Sequence, residues 1–133
     1  MKLVVTGLVT LICAGAAAAS VPTPIVQTGF LTPSANIACN AGHPVGSTRA
    51  LLACTVFSAA SPKKGQKVWA MYATGRVSVG YILGNAATDY PRLAYGRSWT
   101  WRGFHCSSQT TGLSCGNRSG HGFFLSREAP RVF

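Results

Sequence analysis

Downstream of residue 29 the chain consists of short apolar or alternating runs separated by glycine, proline, asparagine and serine. No helical periodicity extends beyond about two turns, and runs of this length between turn residues are typical of β-strands. We therefore predict an all-β or nearly all-β domain, a small single-domain β-barrel or β-sandwich. The predicted strands are Asn36–Cys39, Leu51–Phe57, Lys67–Ala73, Arg76–Leu83, Arg97–Cys106, Leu113–Gly116 and Gly122–Ser126.

Alternation along one of these strands assigns its side chains to faces. In the strand Arg76–Leu83, polar or small residues occupy one side, and Ile82 breaks the alternation. The residues predicted to share the other side are Val77, Val79, Tyr81 and Leu83.

Two tryptophans stand at strand spacing further along the chain. Trp99 and Trp101 share a predicted face, and Phe104 has the opposite parity. A β-bulge at Gly103 would return Phe104 to the tryptophan face. We expect the indoles to be part of the core, although two indoles on one face also suit stacking against a ligand.

The N-terminal residues have the parts of a secretory signal peptide. Lys2 is followed by the uncharged apolar run Leu3–Ala19, which ends in four alanines and is shorter than a membrane-spanning helix of about 20 residues. We predict that residues 1–19 are a signal peptide cleaved after Ala19, with an uncleaved anchor as the alternative. Residues 20–29 would then be a proline-rich entry segment, and residues 30–133 a single domain without a transmembrane segment. The expected location is periplasmic or extracellular.

Cysteine usage agrees with export. Cleavage after Ala19 removes Cys13 and leaves four cysteines, an even number that favours disulfides in an oxidising compartment. Four cysteines allow three connectivities, which the sequence does not distinguish. We predict the local pairs Cys39–Cys54 and Cys106–Cys115, because each brackets a segment of hairpin length. The cysteine spacing does not fit a zinc knuckle, and no metal or other cofactor is predicted.

Charge narrows the class of partner. The chain has 12 Lys and Arg against 2 Asp and Glu, which gives a net charge of +10, or +9 once Lys2 is removed. Polyanions are therefore plausible partners, although a high net charge also serves solubility alone. With carboxylates only at Asp89 and Glu128, which suit a turn and a surface ion pair, a glycosidase-type acid–base pair is a poor interpretation.

Our first hypothesis is a noncatalytic extracytoplasmic binding module, expected to be a monomer. Its basic surface would meet an anionic polymer, an anionic lipid surface or an acidic protein, and no specific nucleic-acid recognition is predicted. The residues predicted to bind are Lys63, Lys64, Lys67, Arg76, Arg118 and His121.

Two alternatives stay open. His43, His105 and His121, together with the lysines, are the groups that a small basic secreted ribonuclease would use as acid, base and cation. A structural surface protein without a small ligand is the other alternative, and it predicts that Trp99 and Trp101 are fully buried.

The chain also resembles a family. The segment Phe30–Cys39 reads F-L-T-P-S-A-N-I-A-C, and Asn117–Arg127 reads N-R-S-G-H-G-F-F-L-S-R. Between them stand Leu93–Gly96, Phe104–Ser108 and Gly112–Cys115. In this order the blocks are similar to small secreted or lipid-anchored bacterial proteins that share a domain of unknown function. The resemblance implies export and a disulfide-containing β-rich domain, with no assigned activity.

The sequence departs from that pattern at two turns. Ala35 stands where the pattern has glycine, and Pro130 stands near a position expected to be aromatic.

Overall fold

The computed structural model describes residues 21–133. The predicted signal peptide, its cleavage after Ala19 and the removal of Cys13 concern residues outside this part of the chain. The described residues form ten strands: β1 Ile25–Leu31, β2 Ile37–His43, β3 Leu51–Ser61, β4 Gly65–Tyr72, β5 Ser78–Ile82, β6 Ser98–Trp101, β7 Phe104–Gln109, β8 Gly112–Gly116, β9 Gly122–Leu125 and β10 Arg131–Val132.

The strands form two antiparallel sheets in simple meander order. Sheet 1 has the order β1-β2-β3-β4-β5, and sheet 2 has the order β10-β9-β8-β7-β6. The main core contains inward side chains of both sheets, such as Leu52 and Trp69 from sheet 1 with Leu113 and Phe123 from sheet 2. The prediction of an all-β fold is confirmed, and the architecture is a sandwich.

Both predicted disulfides are confirmed, and each joins neighbouring strands of one sheet. Cys39 on β2 lies directly opposite Cys54 on β3, and Cys106 on β7 lies directly opposite Cys115 on β8. All four cysteines are completely buried in the main core. In the chain-entropy account, closing loops of this size stabilises the folded state by about 3 kcal/mol each.

Sheet 1 is also covered on its outer face. A second cluster of Val21, Leu51, Ala53, Val68 and Ala70 lies there, with Ile82 packed against it. Since the central strands of sheet 1 are buried on both faces, their sequences are continuous apolar runs without alternation. The same cluster explains why Ile82 breaks the alternation of its strand.

The predicted strand Arg97–Cys106 is wrong in one respect. It is a hairpin of β6 and β7 rather than one strand with a bulge, and Trp101 pairs directly with Phe104. Arg102 and Gly103 both have positive φ, at 41° and 93°, as a two-residue type I′ turn requires. Because partners across an antiparallel pair share a face, Phe104 reaches the tryptophan face through the turn and not through a bulge.

The sequence prediction also missed both terminal strands. β1 begins at Ile25, inside the stretch described above as a proline-rich entry segment, and β10 is only two residues long. Among residues 21–133 we find no helix of the length and hydrophobicity needed to cross a membrane.

Candidate functional site

The structure places the six predicted binding residues at opposite ends of the sandwich. Lys63 and Lys64 occupy the turn between β3 and β4, and Lys67 lies near the start of β4. Arg76 follows the far end of β4, whose eight residues span about 26 Å. Arg118 and His121 belong to the turn between β8 and β9, which contacts that far end. The three lysines and the other three residues are therefore two separate groups.

The lysine group surrounds one tyrosine. The Nζ atoms of Lys64 and Lys67 lie 5.4 Å and 5.8 Å from the centroid of the Tyr81 ring. Lys67 Nζ also lies 5.3 Å from the ring of Trp69. Ammonium groups at these distances are attracted by the ring electrons. We call Lys63, Lys64, Lys67, Val79 and Tyr81 the lysine–tyrosine surface.

This surface lies on the inner face of sheet 1, beyond the cover of sheet 2. Val79 pairs with Trp69 and Tyr81 pairs with Lys67, so these side chains share one face. Trp69 is only 3% exposed, whereas Val79 is 44% exposed on the neighbouring edge strand β5. The predicted common side of β5 is thus the inner face of the sheet, and at Val79 and Tyr81 that face is open to solvent.

Asn117 joins the two sheets at the opposite end. Its Nδ2 donates to the carbonyl oxygens of Tyr72 and Gly75, at 3.0 Å and 2.8 Å. Its Oδ1 accepts from the backbone amides of Ser119 and His121. The turn between β8 and β9 is therefore held against the loop that follows β4.

The turn that Asn117 holds carries the predicted residue Arg118. This turn contacts Gly75, Gly103 and Tyr72, which stand beside Arg76, Arg102 and Arg49 respectively. The Arg118 side chain lies across the backbone of Gly103, and Arg102 lies 4.9 Å from the ring of Trp101. Arg49 lies 3.8 Å from the ring of Tyr72. We call Arg49, Arg76, Arg102 and Arg118 the arginine group. Arg49 and Arg102 were not predicted. The ring that Arg49 covers is 23 positions away in the sequence, and Trp101, the neighbour of Arg102, was assigned to the core.

The tryptophans of β6 are half-buried and packed against the main core. The ring centroids of Trp99 and Phe30 are 5.1 Å apart, and Trp101 is stacked on Phe104 at 6.3 Å. These contacts give the indoles a core role, but they are not fully buried as the structural-protein alternative predicts.

The three histidines lie on three different elements. His43 ends β2, and its Nδ1 lies 3.2 Å from the carbonyl oxygen of Pro44. His105 is exposed on the outer face of β7, and His121 Nδ1 lies 3.4 Å from the carbonyl oxygen of Phe133. No histidine lines the cleft between the sheets or the cavity on the outer face of sheet 1.

A cleft of about 550 Å³ opens at the lysine end, between the two sheets. Its sheet 1 wall is the turn between β1 and β2, with Thr32, Ser34 and Asn36. Its sheet 2 wall is the hairpin Ser108–Leu113 together with the segment Leu125–Glu128. Most of its lining falls within the blocks that carry the family resemblance. Sequence reasoning did not find this site, because its residues come from four separate segments that come together only in the fold.

A second cavity, of about 430 Å³, lies on the outer face of sheet 1. Ala53, Thr55 and Val68 contribute to its lining, as does the segment that follows β5. Asn40 holds that segment through two hydrogen bonds to Ala87, at 2.8 Å and 2.9 Å. The walls are apolar, hydroxyl and amide side chains and carry no charge.

Comparison with known proteins finds a similarity of the C-terminal part of the chain to a family without an assigned role. A model described as "Family of unknown function (DUF6636)" matches residues 71–133, a little under half of the chain. The match covers β5, all of sheet 2 and most of the cleft lining, and it leaves out the segment Phe30–Cys39. No curated protein and no solved structure matches the chain.

Proposed function

We propose that the protein is a noncatalytic binding module that is exported and holds a linear anionic polymer along the lysine–tyrosine surface. The observation that carries this proposal is the placement of the Lys64 and Lys67 ammonium groups at 5.4 Å and 5.8 Å from one exposed tyrosine ring. The ring orients both ammonium groups before a ligand arrives, so less side-chain entropy is lost on binding.

The arrangement favours a chain-like anion over a flat lipid surface. Lys63 and Lys64 are exposed at the tip of the hairpin, whereas Lys67 is half-buried three residues further along β4. Three residues of strand span about 10 Å. A flat surface that meets the tip does not reach Lys67, but a polymer lying along the hairpin meets all three cations.

Catalysis is not part of the proposal. Phosphodiester cleavage by histidines requires two imidazoles that face one scissile bond. His43, His105 and His121 lie on β2, on β7 and in the turn after β8, and none of them lines the cleft or the outer-face cavity.

Salt dependence of binding tests the proposal. Linear inorganic polyphosphate is the probe, and each neutralised phosphate contributes a slope of about 0.8 in log affinity against log salt. Three lysine contacts then predict a loss of about 30-fold between roughly 0.05 M and 0.2 M salt. The double variant Lys64→Gln/Lys67→Gln keeps one contact and is expected to lose only about 3-fold over the same range.

The matched control is Arg76→Gln/Arg118→Gln, which removes the same charge from the other end of the sandwich. It is expected to behave like the unmodified protein. Equal weakening in both double variants would mean that net charge alone drives binding, and the proposed surface would be wrong. Tighter binding to phosphatidylglycerol vesicles or to polyglutamate than to polyphosphate would replace the polymer by a lipid surface or an acidic protein.

A further inference from the structure

The cleft between the sheets contains a buried hydroxyl without a partner. Ser108 is 1% exposed, and its Oγ has no hydrogen-bond partner among residues 21–133. Its backbone is fully engaged, since its amide donates to the Arg97 carbonyl and its carbonyl accepts from the Gly96 amide. A buried hydroxyl left unpaired is unfavourable, so a bound group that pairs with Ser108 Oγ would gain a hydrogen bond there.

Ser108 faces into the cleft because of its position on β7. Phe104, Cys106 and Ser108 alternate as the buried residues of that strand. The first two point into the main core, and Ser108 continues the same row at the end of the sandwich. There it lines the cleft beside Leu113, its partner on β8.

The remaining lining combines neutral polar groups with apolar surface. Gln109, Thr110 and Thr111 are exposed on the β7–β8 hairpin and supply one amide and two hydroxyls. Ile37 and Leu125 supply apolar surface between the walls. The volume falls within the range of about 300–1,000 Å³ that is usual for small-ligand sites.

Tyr95 adds an aromatic ring to this lining and is 51% exposed. It precedes Gly96, whose amide donates to the Ser108 carbonyl at 2.7 Å. This hydrogen bond holds the loop that carries Tyr95 against β7, the strand that carries Ser108. An exposed tyrosine ring offers an apolar face with a polar tip.

The charge of the cleft argues against an ionic ligand. Arg127 and Glu128 are its charged residues, and they have opposite signs. Hydroxyls both donate and accept hydrogen bonds, so hydroxyl-rich walls complement a ligand that does the same. A saccharide ring has hydroxyls around its edge and apolar C–H groups on its faces, which match the polar walls and the tyrosine ring.

We propose that this cleft binds a neutral saccharide, with Ser108 Oγ bonded to a ring hydroxyl and Tyr95 against a ring face. The site is separate from the lysine–tyrosine surface and does not depend on the proposed binding of a polyanion. Saccharide binding in the cleft goes beyond the proposed polyanion binding, because the cleft would recognise hydroxyl groups and not charge.

The test uses calorimetry with three neutral probes: maltotriose, mannotriose and chitotriose. The protein is expected to bind at least one of them with an affinity that does not change with salt. Ser108→Ala is expected to weaken binding about tenfold, the effect of one lost hydrogen bond. Tyr95→Ala is expected to weaken binding by at least as much, and Tyr95→Phe to retain most of it.

Thr100→Ala is the matched control, since Thr100 is an exposed hydroxyl on the outer face of β6. Ser108→Ala should not lower the unfolding temperature, because it removes an unpaired buried hydroxyl. Loss of binding without loss of stability therefore separates recognition from misfolding. Unchanged affinity in Ser108→Ala, or no binding of any probe up to about 10 mM, would overturn the proposal. Lys64→Gln/Lys67→Gln is expected to bind the trisaccharide normally, and weaker binding would contradict the separateness of the two sites.

Discussion

Cys54 in sheet 1 and Cys115 in sheet 2 place their Sγ atoms within 4.8 Å of each other, although each is bonded to a cysteine of its own sheet. Cys39 Sγ belongs to the same group, so the two disulfides are neighbours in the centre of the sandwich. A free thiol at Cys115 would therefore have a disulfide of the other sheet within reach.

We predict disulfide exchange in Cys106→Ser. Its Cys115 thiolate attacks one sulfur of the Cys39–Cys54 bond, forms a new bond between the sheets and releases the other cysteine as a thiolate. The reaction needs no oxidant. Peptide mapping of the refolded variant without reductant is expected to find links from Cys115 to Cys39 or Cys54.

The control for this prediction is Cys115→Ser, which leaves the thiol on Cys106. Cys106 does not belong to the group of three close sulfurs. This variant is expected to retain the Cys39–Cys54 bond, and identical peptide maps for the two variants would contradict the prediction.

Ala35→Gly is predicted to stabilise the fold. Ala35 has a φ of 59° in the turn between β1 and β2, and its amide donates to the Thr32 carbonyl at 2.8 Å. The left-handed conformation costs an L-residue about 1–2 kcal/mol, and glycine removes this cost. Part of the gain is lost again because glycine makes the unfolded chain more flexible. We expect a net gain of about 0.5–1 kcal/mol in the free energy of unfolding, measured with urea.

Ala60→Gly is the control for the Ala35 substitution. Ala60 is exposed on β3 and has no positive φ, so glycine there is expected to cost about 0.5–1 kcal/mol. A loss of stability in both variants would show that the turn does not favour glycine.

The sequence predicted the strands of the domain better than its sites. Alternation and turn residues located six of the eight middle strands individually and β6 with β7 as one run, because glycine, proline, asparagine and serine separate the runs. The sequence also predicted both cysteine pairs, because the short segment between the two cysteines of each pair has the length of a hairpin. β6 and β7 were merged, since Arg102 gives no sign of the positive φ that it shares with Gly103.

The sites depend on which strands become neighbours in the sheets. The residues of a single strand do not show which other strand will lie beside it. Lys67 and Tyr81 are 14 positions apart and pair across β4 and β5. The cleft needs the ends of both sheets, and only the buried environment of Ser108 distinguishes it from the serine beside it. Basic residues were identified as candidates, but their separation into two ends required the topology.

Asn117 is predicted to be the most sensitive polar side chain of the β8–β9 turn. Two of its hydrogen bonds reach the end of sheet 1 and two hold its own turn, and Asn117→Ala leaves carbonyl and amide groups without partners. We expect a loss of about 2–4 kcal/mol in the free energy of unfolding. Asn117→Asp keeps the acceptor oxygen but replaces the donor by a second oxygen facing the Tyr72 and Gly75 carbonyls. It is therefore expected to lose at least as much stability as Asn117→Ala.

Asn85→Ala is the matched control for Asn117, because Asn85 is exposed in the segment after β5. Its effect is expected to be below about 0.5 kcal/mol. If Asn117→Ala were no more destabilising than Asn85→Ala, the turn would not depend on these hydrogen bonds.

Export is predicted to shorten the chain. Intact mass of the protein recovered outside the cytoplasm is expected to correspond to residues 20–133, with four cysteines and no free thiol. A mass that includes residues 1–19, or alkylation of any thiol before reduction, would contradict cleavage after Ala19 or complete pairing of the cysteines.

The two proposed sites are close enough to act on one ligand. Ile37 in the cleft pairs with Val56, Val56 pairs with Lys67, and Lys67 pairs with Tyr81, so this row crosses sheet 1 on its inner face. Two strand spacings separate Ile37 from Lys67, which is about 10 Å. A saccharide in the cleft therefore lies beside the lysines.

We predict that a neutral trisaccharide joined at one end to a short polyphosphate binds at least about 100-fold more tightly than either part alone. The gain comes from effective concentration, because binding of one part holds the other beside its own site. Ser108→Ala and Lys64→Gln/Lys67→Gln should each reduce the gain, and a double-mutant cycle should give a coupling between them that is absent for the unlinked parts. If the linked ligand binds no better than its stronger part, the two sites do not face the same ligand, and each proposal then depends on its own test.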